Sequence, residues 1–168
     1  MPAAMAVDED AWFSTDPVTR QLERRTYDDV VLLSDHRLAV SPSGVWVIGS
    51  CDDGGRVDVT RGLLGRRRLL VGGEDRTALV ESLERQVSRV ALVAGDVYVT
   101  GALCLPNADL PLLRRLHVRD VVLCWPRALR KMVNARGSLG AAEIAAIADD
   151  LAAACSPSRA TTGDFWSL

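Results

Sequence analysis

Three carboxylates close to two short apolar stretches are the residues of this sequence best suited to chemistry: Asp35, Asp52 and Asp53. A divalent cation such as Mg²⁺ takes oxygen ligands, and carboxylates that converge from neighbouring strands can hold it so that it activates water. Asp52 and Asp53 also open an Asp-Asp-Gly-Gly run, which is an ordinary turn sequence because aspartate accepts hydrogen bonds from nearby backbone amides. His36, beside Asp35, suits either a general base or a plain surface residue. A metal site and a simple turn therefore stay open as alternatives.

Two groups of basic side chains offer contacts to phosphate. Only one of the 20 basic residues is a lysine, so Lys131 is the single candidate for any chemistry that needs an amine. The first group comprises Arg66 and Arg68, and the second, at helical spacing, comprises Arg127, Arg130 and Lys131. The formal net charge of −2 excludes a nucleic-acid binder that works by bulk positive charge, although it leaves a local basic groove open. Solvated charge balanced by nearby acids is the alternative for both groups.

Aromatic residues near the two ends of the sequence are candidates for binding a partner. They are Trp12, Phe13, Phe165 and Trp166. A tryptophan in a segment with little else apolar nearby needs a surface to bury it, either on this chain or on another. Trp46 and Trp125 lie beside apolar stretches, and we predict that both belong to the core.

The composition is that of a globular protein with one domain. The chain has 168 residues, of which 48% are hydrophobic and 25% are charged. We predict tails at 1–15 and 156–168 around a single domain at 16–155. No apolar run approaches the roughly 18–20 residues of a membrane span, and the acidic start is unlike a signal peptide. The four cysteines have no metal-ligand spacing, so we expect a reduced, cytoplasmic protein with structural thiols.

The periodicity predicts the elements that position these residues. Asp16-Pro17 favours a short helix to about Arg25. Five short strands in an antiparallel meander follow, and their predicted ranges are 29–33, 37–40, 45–48, 56–59 and 67–71. A helix from Glu74 to Gly95 then leads to a central strand at 97–104 and a loop with a helical piece at 110–116. A strand at 118–123, a helix at 126–133 and a last helix capped by Ser138 complete the order. The fold class is α/β, a mixed sheet with an antiparallel hairpin region and flanking helices.

The stretch from Asp35 to Cys51 resembles the nuclease-related domain family, often called NERD. The resemblance lies in Asp35-His36, an apolar strand, Pro42-Ser43-Gly44, a second apolar strand, and then Gly55-Arg56-Val57. It extends to the strand at 97–104 and the helix at 138–151, and so covers about residues 28–157. It implies a restriction-endonuclease-like fold of the PD-(D/E)xK type, in which Mg²⁺ and a lysine support phosphodiester hydrolysis.

The resemblance also implies that this chain has lost half of the catalytic motif. Asp35 matches the family's first metal-binding acid, but the acid-x-Lys position holds Gly49-Ser50-Cys51. We therefore expect no catalytic residue, no metal and no cofactor, and we interpret the chain as a module that binds a protein partner or assembly. Two alternatives remain. One is a Mg²⁺-dependent nuclease with a shifted site at Asp35, Asp52 and Asp53. The other is a nucleic-acid binder that cleaves nothing.

Overall fold

Two mixed sheets and three helices make up the part of the chain that the computed structural model describes, which is residues 30–33, 37–111 and 116–155. The strands are β1 (Val31–Leu33), β2 (Leu38–Ser41), β3 (Gly44–Ser50), β4 (Gly55–Arg61), β5 (Arg67–Val71), β6 (Glu74–Asp75), β7 (Val99–Cys104), β8 (Ala108–Asp109), β9 (Leu116–Val118) and β10 (Val121–Cys124). The helices are α1 (Thr77–Ala94), α2 (Pro126–Val133) and α3 (Ala141–Cys155). The predicted first helix and both predicted tails lie outside the described residues.

The first sheet has six strands in the order β1-β2-β3-β7-β10-β9. β1, β2 and β3 form the predicted antiparallel meander, and β7 lies in the middle of the sheet, parallel to both β3 and β10. The β2–β3 turn closes at Gly44, where φ is +124° and a Cβ would lie 2.7 Å from the Tyr98 carbonyl oxygen. Only glycine fits there, because L side chains rarely adopt that backbone conformation and the neighbouring strand leaves no space.

The alternation of side chains along the strands divides the core between the two faces of this sheet. Leu38, Val40, Val45 and Val47 point to one face, which α1 and α3 cover with buried residues that include Val80, Leu83, Ile144 and Leu151. Ala39, Trp46 and Ile48 point to the other face, where the short helix α2 supplies Leu129 and Val133. One face is therefore covered by two long helices, and the other by eight residues of helix.

The second sheet, in the order β6-β5-β4-β8, corrects the expectation of a single sheet. β4 and β5 are an antiparallel hairpin, while β8 adds to β4 in parallel. The prediction that α1 begins at Glu74 was also wrong, because Glu74 and Asp75 pair with β5. The Asp75 carboxylate accepts a hydrogen bond from the Thr77 amide at 2.9 Å, which satisfies a free donor of the first helical turn and fixes the start of the helix.

Three further boundaries differ from the predicted ones. Leu116 belongs to a strand and not to a helical piece, and the predicted strand at 118–123 is a hairpin that turns at Arg119 and Asp120. Ser138 does not cap the last helix. Gly140 precedes its first residue, and the Glu143 carboxylate accepts a hydrogen bond from the Gly140 amide at 2.8 Å. Within the described ranges, no helix has the length and apolar character needed to cross a bilayer.

Candidate functional site

The end of β3 is where the sequence predicts either a metal site or the loss of one. Gly49 and Ser50 pair with Leu103 and Cys104 of β7. A Cβ on Gly49 would lie 3.3 Å from Leu103 Cδ1 and 3.6 Å from both Leu83 methyl carbons. A carboxylate at this position would therefore emerge among leucine side chains, where burial without a partner is unfavourable.

Cys51, Asp53 and Arg76 form a bonded group just beyond that strand, which we call the Arg76 cluster. The buried Cys51 thiol donates to Asp53 Oδ2 at 3.2 Å, and the Arg76 Nε donates to the same oxygen. The Arg76 Nη2 also donates to Glu74 Oε2 at 2.6 Å. One arginine thus bridges two carboxylates, and the loop after β3 is fastened to the residue before α1.

The electrostatics of the Arg76 cluster favour a charged aspartate beside a neutral thiol. The hydrogen bond from Arg76 lowers the pKa of the Asp53 carboxyl, with a further contribution from Cys51. Burial raises the pKa of the Cys51 thiol, and so does its bond to a carboxylate that is already negative. The same pairing raises the pKa of Arg76. At neutral pH the cluster therefore holds an ion pair and a protonated thiol.

Divalent metal fits these residues poorly. Asp53 already binds a guanidinium, so Mg²⁺ would have to displace Arg76 or approach another cation closely. Asp52 is exposed, and its backbone carbonyl accepts a hydrogen bond from Asn107 Nδ2 at 2.9 Å. Over the described part of the chain, no three His, Cys, Asp or Glu side chains converge as a metal-binding group. Asp35 and His36 lie outside that part.

A groove of about 590 Å³ opens on the sheet face that α2 covers. Trp46, Tyr98 and Trp125 contribute aromatic surface, while Met132 and Lys131 line it from the helix. Both indole N–H groups are satisfied within the fold, since Trp46 donates to the Ser43 hydroxyl and Trp125 donates to the Ala108 carbonyl, each at 3.0 Å. The rings thus present apolar surface and no unsatisfied donor.

The charge of the groove has one sign. None of its described lining residues is acidic, whereas Lys131 provides a cation. Trp46 is buried, as predicted, but Trp125 is only half-buried and lines the groove, so the prediction that it belongs to the core is correct only in part. An apolar groove with a cationic rim suits an apolar group attached to an anion.

The two basic groups lie in different places. Arg66 and Arg68 border a cavity beside the β4–β5 hairpin, while Lys131 lines the groove. Arg68 Nη1 lies 4.0 Å from Asp75, whereas Arg67 turns away and donates to the His117 carbonyl at 3.2 Å. Arg127 is exposed and Arg130 is half-buried on α2. The described structure does not join the two groups into one phosphate-binding surface.

Comparison with known proteins identifies no relative. No protein-family model matches the chain, and neither a curated protein nor a solved structure gives a significant match. The function of the chain is therefore inferred from the geometry of the Arg76 cluster and of the groove. The four terminal aromatic candidates, Trp12, Phe13, Phe165 and Trp166, lie outside the described residues.

Two features of the site were missed in the sequence. Arg76 falls within the predicted helix at 74–95, and nothing in the linear order places it beside Asp53, 23 positions earlier. Tyr98 falls within the predicted central strand at 97–104, although it precedes β7 and its side chain is exposed. A local signal did exist for Arg76, since it follows Glu74 and Asp75 at a helix start, where an arginine would otherwise be unfavourable.

Proposed function

We propose that this chain is a nuclease-related, restriction-endonuclease-like domain that no longer hydrolyses phosphodiesters and serves as a protein interaction module. The ion pair between Asp53 and Arg76 carries this proposal. It engages the carboxylate best placed to replace the missing acid at Gly49. At the level of the fold, the proposal agrees with an α/β architecture in which α1 lies in the connection between the β1-β2-β3 meander and the parallel strand β7.

The groove is the proposed binding surface. Its partner is a protein segment that places an aromatic or aliphatic side chain next to carboxylates, because the groove combines indole and phenol rings with Lys131 and none of the lining residues that the structure describes is acidic. The terminal aromatic residues of this chain have that same chemistry, since Trp12 and Phe13 follow Asp8, Glu9 and Asp10. They are proposed as a second contact with the partner.

Thermal unfolding with and without divalent metal tests the loss of hydrolysis. A ligand that binds only the folded state raises the melting temperature, so a working site would respond to millimolar Mg²⁺ or Mn²⁺. We expect no rise, and no difference in response between the wild-type chain and Asp35→Ala. A metal-dependent rise that Asp35→Ala removes would contradict the proposal and would favour the shifted nuclease site.

A labelled peptide with the sequence of residues 8–13 has the chemistry proposed for the partner, so its binding to the groove can be measured in place of the partner's by fluorescence anisotropy. We expect Lys131→Glu and Tyr98→Ala each to weaken binding by about fivefold or more, since one removes the rim cation and the other an exposed ring. Arg136→Glu, an exposed charge outside the groove lining, is the matched control. The chain carries the same segment and could compete with the peptide for the groove, so the measurement is repeated with the Trp12→Ala/Phe13→Ala variant. If the peptide binds neither the wild-type chain nor this variant, the proposal is contradicted.

Nucleic-acid binding without cleavage is a second candidate, favoured by the presence of Trp125 and Lys131 in one groove. Bases stack on indole rings, and a lysine nearby can contact phosphate. This candidate predicts binding of single-stranded DNA or RNA whose affinity falls steeply with salt. Affinity that is independent of Lys131 and Trp125 would exclude the groove as the site.

A further inference from the structure

The tip of the β4–β5 hairpin exposes two adjacent leucines. Leu63 and Leu64 have relative exposures of 106% and 89%, so neither packs against a described residue to any useful extent. They occupy the centre of a turn from Gly62 to Gly65, where polar or small residues are usual. Because the two leucines are adjacent, they form a small apolar surface at the tip that contact with another apolar layer would bury favourably.

The backbone of the tip satisfies its own hydrogen bonds. The Gly62 amide donates to the Arg66 carbonyl at 2.8 Å, and the Gly65 amide donates to the Gly62 carbonyl at 2.9 Å. Gly65 has a φ of +73°, which lets the turn close tightly behind the leucines. Moving such a turn from water into an apolar layer costs less free energy than moving an open loop, because fewer of its backbone N–H and C=O groups depend on water for hydrogen bonds.

Arginines surround the leucines without any acid in the same segment. Residues 60–68 contain four arginines and no aspartate or glutamate. The Arg68 guanidinium lies 4.0 Å from Asp75, but the side chains of Arg61 and Arg66 are exposed and pair with no group of the described residues. The tip is therefore apolar at its end, with two arginines that are not paired within the described residues behind it, while Asp75 and Glu81 line the cavity at its base.

The register places a second arginine opposite Arg61. Arg61 and Arg67 are direct partners across the two strands, and Arg67 turns its guanidinium to the His117 carbonyl at 3.2 Å. Arg61 is left as the exposed cation of this pair, so an external anionic surface could bind it while the leucines enter an apolar layer.

From these observations we propose that the β4–β5 tip docks onto an anionic lipid surface, with Leu63 and Leu64 entering the interface and Arg61 and Arg66 contacting the phosphate headgroups. The leucines favour lipid over nucleic acid, because a nucleic-acid backbone offers phosphates but no apolar layer to receive them. The proposal is independent of the groove, and it would place the interaction module at a membrane surface.

Vesicle co-sedimentation tests it with the full chain. We expect binding to vesicles of phosphatidylcholine that contain phosphatidylglycerol, little binding to phosphatidylcholine alone, and loss of binding as salt increases. Leu63→Ser/Leu64→Ser should reduce the affinity about tenfold or more, and Arg61→Gln/Arg66→Gln by about fivefold for each arginine. Leu92→Ser, at 87% exposure on α1, and Arg136→Gln are the matched controls and should bind like the wild type.

Several outcomes would overturn the proposal. One is the absence of binding to the anionic vesicles at low salt. A second is that Leu63→Ser/Leu64→Ser binds vesicles as well as the wild type does, and that duplex DNA displaces the protein from the vesicles. That result would assign the arginines of the tip to nucleic acid. A third is a large fall in melting temperature for Leu63→Ser/Leu64→Ser without vesicles, which would show that the chain itself covers the leucines.

Discussion

The Asp53 carboxylate accepts two hydrogen bonds at its Oδ2 atom, one from Arg76 Nε and one from Cys51 Sγ. The three side chains come from the loop after β3 and from the residue before α1, so their meeting depends on how the second sheet packs beside the first. In a metal-dependent hydrolase a carboxylate here would present its oxygens to a cation and water. In this protein the cation is an arginine of the same chain.

Removing the arginine should expose the pH dependence of the Asp53–Arg76 pair. The pKa of Asp53 is lowered in the folded protein, so the stabilisation is present above the unfolded pKa and disappears as pH falls through the folded one. Arg76→Gln should therefore lower the melting temperature at neutral pH, and its difference from the wild type should shrink in acid. Arg56→Gln, which breaks an exposed pair with Asp58, is the control and should change little. A difference that stays constant across pH would contradict the linkage.

Introducing an acid at position 49 should destabilise the fold and should not create a metal site. The Cβ of Gly49→Asp would meet Leu103 and Leu83, so its carboxylate would be partly desolvated without a partner. We expect the free energy of unfolding to fall by about 1–3 kcal/mol, measured by urea denaturation. Gly49→Ala adds the same Cβ without the charge and should cost clearly less. Metal-dependent stabilisation of Gly49→Asp would show that the site still accepts a cation.

The thiols should differ in their reactivity toward iodoacetamide. Burial raises the pKa of Cys51, and the thiolate is the reactive form, so Cys51 should be alkylated slowly at mildly alkaline pH. Cys155 is only partly buried at the end of α3 and should react first. Mass spectrometry of the labelled peptides gives both rates, and all four cysteines should react alike in denaturant. Equal native rates for Cys51 and Cys155 would contradict the burial of the Cys51 thiol.

Ser43 should matter for stability more than an exposed serine does. Its hydroxyl lies 3.3 Å from the Met132 carbonyl and 3.2 Å from the Val133 carbonyl, and it accepts the Trp46 indole N–H. Ser43→Ala leaves those groups short of a partner, so we expect a loss of about 1–3 kcal/mol and a change in tryptophan emission. Ser138→Ala, at an exposed position, should be nearly neutral. A neutral Ser43→Ala would show that water replaces the hydroxyl fully.

Local sequence patterns were sufficient to predict many of the strands in the six-stranded sheet. The meander β1-β2-β3, the central strand β7 and the helix from Pro126 follow from alternation, turn residues and an N-terminal proline, all of which are signals within a few residues. The division into two sheets could not be predicted in this way. It arises because β3 pairs with β7, about 50 positions later in the chain, and not with β4, which follows it directly.

The turn at Arg119 could not be predicted from the sequence, for a different reason. Arg119 has a φ of +55°, a conformation that sequence reasoning assigns to glycine or asparagine. Its guanidinium binds Glu84 and Glu81 of α1 at 2.8 and 2.9 Å, and these contacts hold the strained residue in place. Because the stabilising partners are about 35 residues away, the segment resembled one continuous strand. The Arg76 cluster was missed for the same reason.

The turn between β2 and β3 is bound from the far end of the described chain. Besides the contacts of Ser43, the Leu139 amide donates to the Pro42 carbonyl, and there is no room for a Cβ at Gly137 beside that carbonyl. The two ends of β3 are therefore held by different parts of the chain: residues 132–139 bind the Pro42-Ser43-Gly44 turn, and Arg76 binds the loop at 51–53. A substitution that loosens one end of this strand should leave the contacts at the other end in place.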